Sequence, residues 1–155
     1  MAIKLTRYIR PDCFLHDMAA RTREEAIRDI IHEAAAKGLI KDETEVFGKL
    51  MERESIQTTA VGNGIAIPHC FIDEISDLVI IVARATEGLE FDSFDGKPTR
   101  VIFLLMGNRL EHSLHLKALA RIARLIKSTE FVEKIISAAT VQDMIRAFEE
   151  EEAKI

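Results

Sequence analysis

Apolar residues at 26, 27, 30, 31 and 34 recur three or four apart, the repeat of one helix face. Thr22 with Glu25 three positions on reads as a capping box, so the pattern predicts a helix over 22–37 that Gly38 closes. A second, shorter helix is expected over 42–53, with Val46, Phe47, Leu50 and Met51 on one face. The period then changes. "GIAIPH", 64–69, reads as a short strand with Ile65 and Ile67 on one side, and Pro68, with no N–H to donate, is expected to end its ladder. "LVIIVARA", 78–85, and "TRVIFLLMG", 99–107, are unbroken apolar runs of strand length, the kind covered on both faces. Between them Asp95, Gly96 and Pro98 supply turn chemistry.

Helical spacing returns with Leu116, Leu119, Ile122, Ala123 and Ile126, through about Lys127. Two short helices are expected over 129–138 and 140–151, with Thr129 and Thr140 as caps. Residues 1–11 read equally as an edge strand or a short helix. A helix pair, then strands, then helices predicts an α/β fold, a three-layer α/β/α sandwich with one central sheet. At 155 residues without linkers, repeats or low-complexity tracts, 1–155 reads as a single domain.

Composition narrows the function classes. Nearly half the residues are apolar and charges are interspersed, the balance of a soluble globular protein. A net charge of -5 with no basic stripe argues against nucleic acid as a partner. No apolar stretch approaches membrane-spanning length and the start lacks a signal-peptide core, so a cytoplasmic protein without membrane insertion is expected. Cys13 and Cys70 form no metal or redox spacing and are read as reduced thiols. The acidic run Glu149 to Glu152 reads as the solvated end of the last helix.

The candidate chemistry lies in "TTAVGNGIAIPHC", 58–70. Gly62, Asn63 and Gly64 begin like a dinucleotide fingerprint, but Ile67 holds its sixth position and no G-K-[ST] follows, which disfavours a nucleotide loop. All three take positive φ readily, so their N–H groups are candidates to form an anion-binding concavity, with the Thr58 and Thr59 hydroxyls beside it. His69 is expected at the carboxyl end of the short strand, where α/β sheets place ligands. A neutral imidazole is a nucleophile near pH 7 without a separate base, so a phosphoryl-accepting histidine is one reading and a polar turn histidine the other. His112 and His115, three apart at a helix start, are candidates to assist or are polar surface.

The stretch as a whole resembles the active-site signature of enzyme IIA proteins of the bacterial phosphoenolpyruvate-dependent phosphotransferase system, in the fructose, mannitol and nitrogen-regulatory group. The resemblance extends to "MERES", "GLEFDSFDGKPTRVIFLLMG" and "HLKALARIARLI", nearly the whole chain in order. It implies a single α/β sandwich with a mixed sheet. It also implies that His69 carries the phosphoryl group, received from the HPr phosphocarrier and passed to an enzyme IIB or used as a regulatory signal. His115 rather than His112 falls at the second active-site histidine, and Arg53 at the arginine of the "RE" pair. Thr59 and Asn63 match the approach loop, and the Gly62–Gly64 backbone is expected to donate to the phosphoryl oxygens. No cofactor and no metal are implied. Ala60 and Cys70 depart from the pattern, where the family usually has glycine at the first position and glycine or another small residue at the second.

Resemblance leaves the sugar-transport and nitrogen-regulatory roles both open, with the regulatory one slightly favoured. Two other classes stand beside it. A binding module that keeps the fold without transfer is disfavoured by the presence of both His69 and His115. A metal-dependent enzyme built on Glu111, His112, His115 and Cys70 lacks H-E-x-x-H or another paired-ligand signature.

Overall fold

The computed structural model describes residues 3–155. Helix α1 (Arg23–Ala36) starts where the sequence predicts: Thr22 Oγ1 accepts the Glu25 N–H at 3.2 Å. The reciprocal arm of the box reaches one residue further back, with Glu25 Oε2 accepting the Arg21 N–H at 3.1 Å. Helix α2 (Glu43–Ile56) is capped by Asp42 and runs three residues past the expected end, which puts Arg53 and Glu54 in its last turn.

The sheet has six strands: β1 (Phe14–Leu15), β2 (Ala60–Gly62), β3 (Ile65–Ala66), β4 (His69–Phe71), β5 (Val79–Leu89) and β6 (Thr99–Gly107). Its order is β1-β5-β6-β3-β2, with β4 also on β6. β1 runs parallel to β5, β3 and β4 run parallel to β6, and the β5–β6 and β2–β3 pairs are antiparallel, so the sheet is mixed. Pro68 does not end the ladder as expected. Ile65 pairs with Val101 and His69 with Leu105, the same register on both sides of the proline, and the Pro68 carbonyl still accepts the Leu105 N–H at 2.9 Å. The ring removes one donor and leaves the strand's course intact. His69 therefore opens β4 rather than closing a strand.

Both long strands are covered on both faces. Ile81, Ala83, Ile102, Leu104 and Met106 pack with Ile27, Ile30, Val46 and Leu50 of α1 and α2. The alternate residues Ile80, Val82, Val101, Phe103 and Leu105 pack against α3 (His112–Leu125), α4 (Thr129–Ser137) and α5 (Val141–Glu152). That is the three-layer α/β/α sandwich with a central mixed sheet. Phe131 and Phe148 meet edge to face at 5.2 Å in the second layer.

Three local expectations are corrected, and one left open is decided. The buried stripe of α3 is His115, Ala118, Ile122 and Leu125, with Leu116 about half exposed: a polar residue holds the first core position, and its apolar neighbour turns outward. Ser128, not Thr129, caps α4, accepting the Phe131 N–H at 3.2 Å. Glu151 and Glu152 are buried instead of solvated. Glu152 pairs with Arg121 at 2.9 Å and accepts the Leu5 N–H at 2.6 Å, while Lys134 and Lys154 hold Glu151. The N-terminal segment makes two 3-10 turns, Leu5–Arg7 and Pro11–Cys13, not an edge strand; its first two residues lie outside the described part. Among the described residues no helix is long and apolar enough to cross a membrane.

Candidate functional site

At the carboxyl end of β6, β4 and the first turn of α3 bring two histidines together. The His69 and His115 rings lie 5.6 Å apart, tilted by 56°. His69 Nδ1 is 2.8 Å from the Ile67 carbonyl, which can only accept, so the ring carries its proton on Nδ1 and leaves the Nε2 lone pair free. Burial pushes the His69 pKa below its ordinary value; the Ile67 carbonyl opposes that, the Arg53 charge adds to it and Glu54 opposes it. At neutral pH His69 is an uncharged base.

His115 is buried at 2 % exposure, and neither ring nitrogen has a hydrogen-bond partner among the described residues. Burial, then the neighbouring His69 and His112, push its pKa down to about 4. An orphaned polar pair beside a free imidazole lone pair is a site ready for a ligand's donor or acceptor atoms. The cage around it was not read from the sequence. Phe71 packs on His115 at 4.4 Å and on His112 at 5.4 Å, and Gly107 lies so close that a Cβ there would meet His115 Nδ1 at 2.7 Å. The continuous register of β4 on β6 pairs Phe71 with Gly107, which is why the two arrive together.

Arg53 stands at the rim, its Nη1 donating to the Gln57 carbonyl at 2.8 Å and its charge felt by His69. Glu54 beside it is buried, and that too was missed. The signal was present: Val46, Leu50 and Glu54 are spaced by four, so the acid lies on the buried stripe of α2. It takes up the Thr59 N–H at 3.0 Å and the Thr59 hydroxyl. The Thr59 hydroxyl is therefore engaged within the fold. So is that of Thr58, which donates to the Phe91 carbonyl at 2.9 Å.

The Gly62, Asn63 and Gly64 turn has the expected positive φ values of 94°, 56° and 81°. It is not brought to His69. Five residue steps of near-extended chain, about 16 Å at 3.3 Å per step, separate Gly64 from His69. The turn faces the Ile126–Thr129 junction at the far end of α3, and the Asn63 N–H is held by Asp95 at 3.0 Å. The glycines shape the hairpin between β2 and β3, so the expectation that they donate to a phosphoryl group on His69 is withdrawn. Cys70 points to the opposite face of the sheet from the histidines, is buried, and has its thiol pushed up to about 12. Among the described residues no three His, Cys, Asp or Glu side chains are grouped as they would be around a metal ion.

The family profile described as "Phosphoenolpyruvate-dependent sugar phosphotransferase system, EIIA 2" matches residues 7–151. A nitrogen regulatory protein of Bradyrhizobium diazoefficiens is 33% identical over 138 residues, covering 89% of this chain and 90% of its own length. The fructose-specific EIIA component of Haloferax volcanii is 34% identical over 127 residues, covering 80% of this chain and 82% of its own. In fold, the nitrogen regulatory protein IIA-Ntr from Neisseria meningitidis superposes with a TM-score of 0.86 at 21% identity, covering 93% of this chain and 98% of its own. Escherichia coli enzyme IIA of the mannitol system, in complex with phosphorylated enzyme IIB, superposes with a TM-score of 0.76 at 17% identity, covering 92% of this chain and 99% of its own. The chain belongs to the EIIA 2 family of the phosphoenolpyruvate-dependent sugar phosphotransferase system.

Proposed function

We propose that this chain is a cytoplasmic phosphocarrier that takes a phosphoryl group from an HPr-type phosphocarrier protein onto Nε2 of His69. It then passes the group to an enzyme IIB or keeps it as a signal read by a target protein. The observation that carries the reading is the hydrogen bond from His69 Nδ1 to the Ile67 carbonyl, which leaves Nε2 as the free nucleophile of a neutral ring. The Nε2 lone pair forms the new N–P bond while the donor's N–P bond breaks and its nitrogen keeps that electron pair. The Nδ1 proton stays on the ring against Ile67.

A loose phosphoryl-transfer transition state asks chiefly for positioning and for neutralisation of spread negative charge. Arg53 supplies the positive charge at the rim. His115, neutral and without partners, presents a ring N–H to a phosphoryl oxygen. Phosphoryl transfer between two imidazoles needs no nucleotide, in keeping with a turn at Gly62–Gly64 that serves the hairpin. In the transport role the onward partner is of the enzyme IIB class, a reading supported by the mannitol IIA relative's complex with phosphorylated IIB. We favour the nitrogen-regulatory role, on the match to the Bradyrhizobium protein over 89% of this chain and 90% of its own length. The Haloferax fructose component, equally similar, supports a sugar-transport role as the second reading.

The experiment is incubation with labelled phosphoenolpyruvate, enzyme I and HPr. The expected product is an acid-labile phosphohistidine that His69→Ala abolishes. A wild-type chain that takes no label beside an active enzyme IIA control overturns the phosphocarrier reading, and a labelled His69→Ala overturns the site. Addition of a fructose-type enzyme IIB then separates the two roles: rapid loss of label to it favours transport, and retention favours regulation.

A further inference from the structure

Glu54 is the anomaly of the site. It lies in the last turn of α2, where the helix end already carries partial negative charge, and its side chain is fully withdrawn from solvent. The helix dipole and desolvation both oppose an ionised acid there. Two things offset them: the Arg23 guanidinium, 3.9 Å from Oε2, and the double hydrogen bond to Thr59. Both carboxylate oxygens are thereby committed to one residue five positions along the chain.

Thr59 passes that constraint on. Its carbonyl accepts the Ile67 N–H at 3.0 Å, and the Ile67 carbonyl in turn accepts from His69 Nδ1 at 2.8 Å. There is little slack between these links. Pro68 has a fixed φ, and a residue before proline is confined to extended backbone, so Ile67 and Pro68 form a stiff two-residue arm ending at His69. The Ile67 carbonyl is aimed by that arm, and the arm is anchored on its other side by Thr59. No other hydrogen bond to the His69 ring exists among the described residues.

We propose that Glu54 is a positioning residue that, through Thr59 and the Ile67 backbone, holds His69 in the tautomer presenting Nε2 to the incoming phosphorus. Its consequence for transfer rests on the phosphocarrier reading; the hydrogen-bond relay itself does not.

The test uses three substitutions in the full chain. Glu54→Gln keeps volume and both bonds, its amide oxygen accepting from the Thr59 N–H and its NH2 donating to the hydroxyl oxygen, but loses the charge. Glu54→Leu keeps volume and loses both bonds. Thr59→Val deletes the hydroxyl link alone and serves if Glu54→Leu does not fold. The readouts are the 15N chemical shifts of the His69 ring, which report the protonated nitrogen, and kcat and KM with phosphorylated HPr.

Glu54→Gln is expected to keep the wild-type tautomer and a kcat within about threefold, whereas Glu54→Leu shows mixed tautomers and a kcat down at least about tenfold with KM unchanged. Thr59→Val moves both readouts in the same direction, by less. A folded Glu54→Leu or Thr59→Val with wild-type tautomer and kcat overturns the proposal. So does a Glu54→Gln as impaired as Glu54→Leu, because charge and not the bonded relay is then what matters. If the wild-type chain accepts no phosphoryl group, the functional reading fails by itself, and the ring shifts still decide whether the relay exists.

Discussion

The Cα of Gly107 lies against the imidazole of His115, close enough that a Cβ at position 107 would stand 2.7 Å from Nδ1. The ring cannot retreat easily, since it is buried and Phe71 packs on it at 4.4 Å. Gly107 is thus required by contact and not by backbone conformation. Gly107→Ala is expected to lower stability by about 1–3 kcal/mol, the usual range for overpacking, and to displace His115. Urea unfolding measures the first effect; a fall of roughly tenfold or more in phosphoryl acceptance measures the second. A variant that folds and transfers as the wild type does would show that the contact is slack.

His115 gives the fold a pH dependence whose sign follows from its burial. Folded, its pKa is pushed down to about 4 from the ordinary 6.5, so between those values the unfolded chain binds the proton first. The stability tied to the neutral ring is fully present above pH 6.5 and is lost as pH falls toward 4. At 1.36 kcal/mol per pH unit the loss is on the order of 3 kcal/mol. His115→Leu lacks it. Other titrating groups are common to both proteins, so the stability of the variant relative to wild type is expected to grow by roughly that amount from pH 7 to pH 4. A difference that stays flat across that range would mean that His115 is not a buried neutral base.

The parts of this molecule that were legible before folding are those where one physical rule acts alone. β5 and β6 are apolar on both faces, and α1 carries its cap and its stripe in sequence, so both were readable from pattern. The misses at His115, Glu54, Glu151 and Glu152 share one cause, a polar residue standing at an apolar position. His115 opens the α3 stripe and Glu54 closes the α2 stripe, while Glu151 and Glu152 are sealed in part by Lys134 and Arg121, distant in sequence. Periodicity counts such residues as surface, because what covers them appears only when the chain is folded. The Gly62–Gly64 turn failed differently. Its backbone conformation was read correctly, but its direction was not, since a strand of unbroken register through Pro68 carries His69 to the other end of the sheet.

Arg53 and His69 are coupled through charge. Arg53 lowers the His69 pKa, so Arg53→Gln is expected to raise it, moving the acid limb of phosphoryl acceptance to higher pH. In the wild type, acceptance should hold steady around pH 7 and fall below the ordinary histidine value as the ring protonates. The substitution also removes a cation from the rim, so a drop of about tenfold to a hundredfold in the plateau rate is expected. NMR titration of the His69 ring checks the first effect independently of the partner protein. A midpoint that moves down or does not move would remove Arg53 from the electrostatics of the site.

Cys70 adjoins His69 in sequence but not in chemistry. Strand alternation turns its side chain to the α1 and α2 layer while His69 faces α3. It is 7 % exposed, and burial pushes its thiol up to about 12, so at pH 8 only about one molecule in ten thousand carries the reactive thiolate. The folded protein is therefore expected to resist iodoacetamide for hours while a urea-unfolded control reacts at once. Cys70→Ala should accept phosphoryl groups at the wild-type rate and lose about 1 kcal/mol, the transfer term of a small buried side chain. Rapid alkylation of the folded chain, or a Cys70→Ala slowed tenfold with its stability intact, would assign the thiol a part in the reaction that its position on the far face of the sheet denies it.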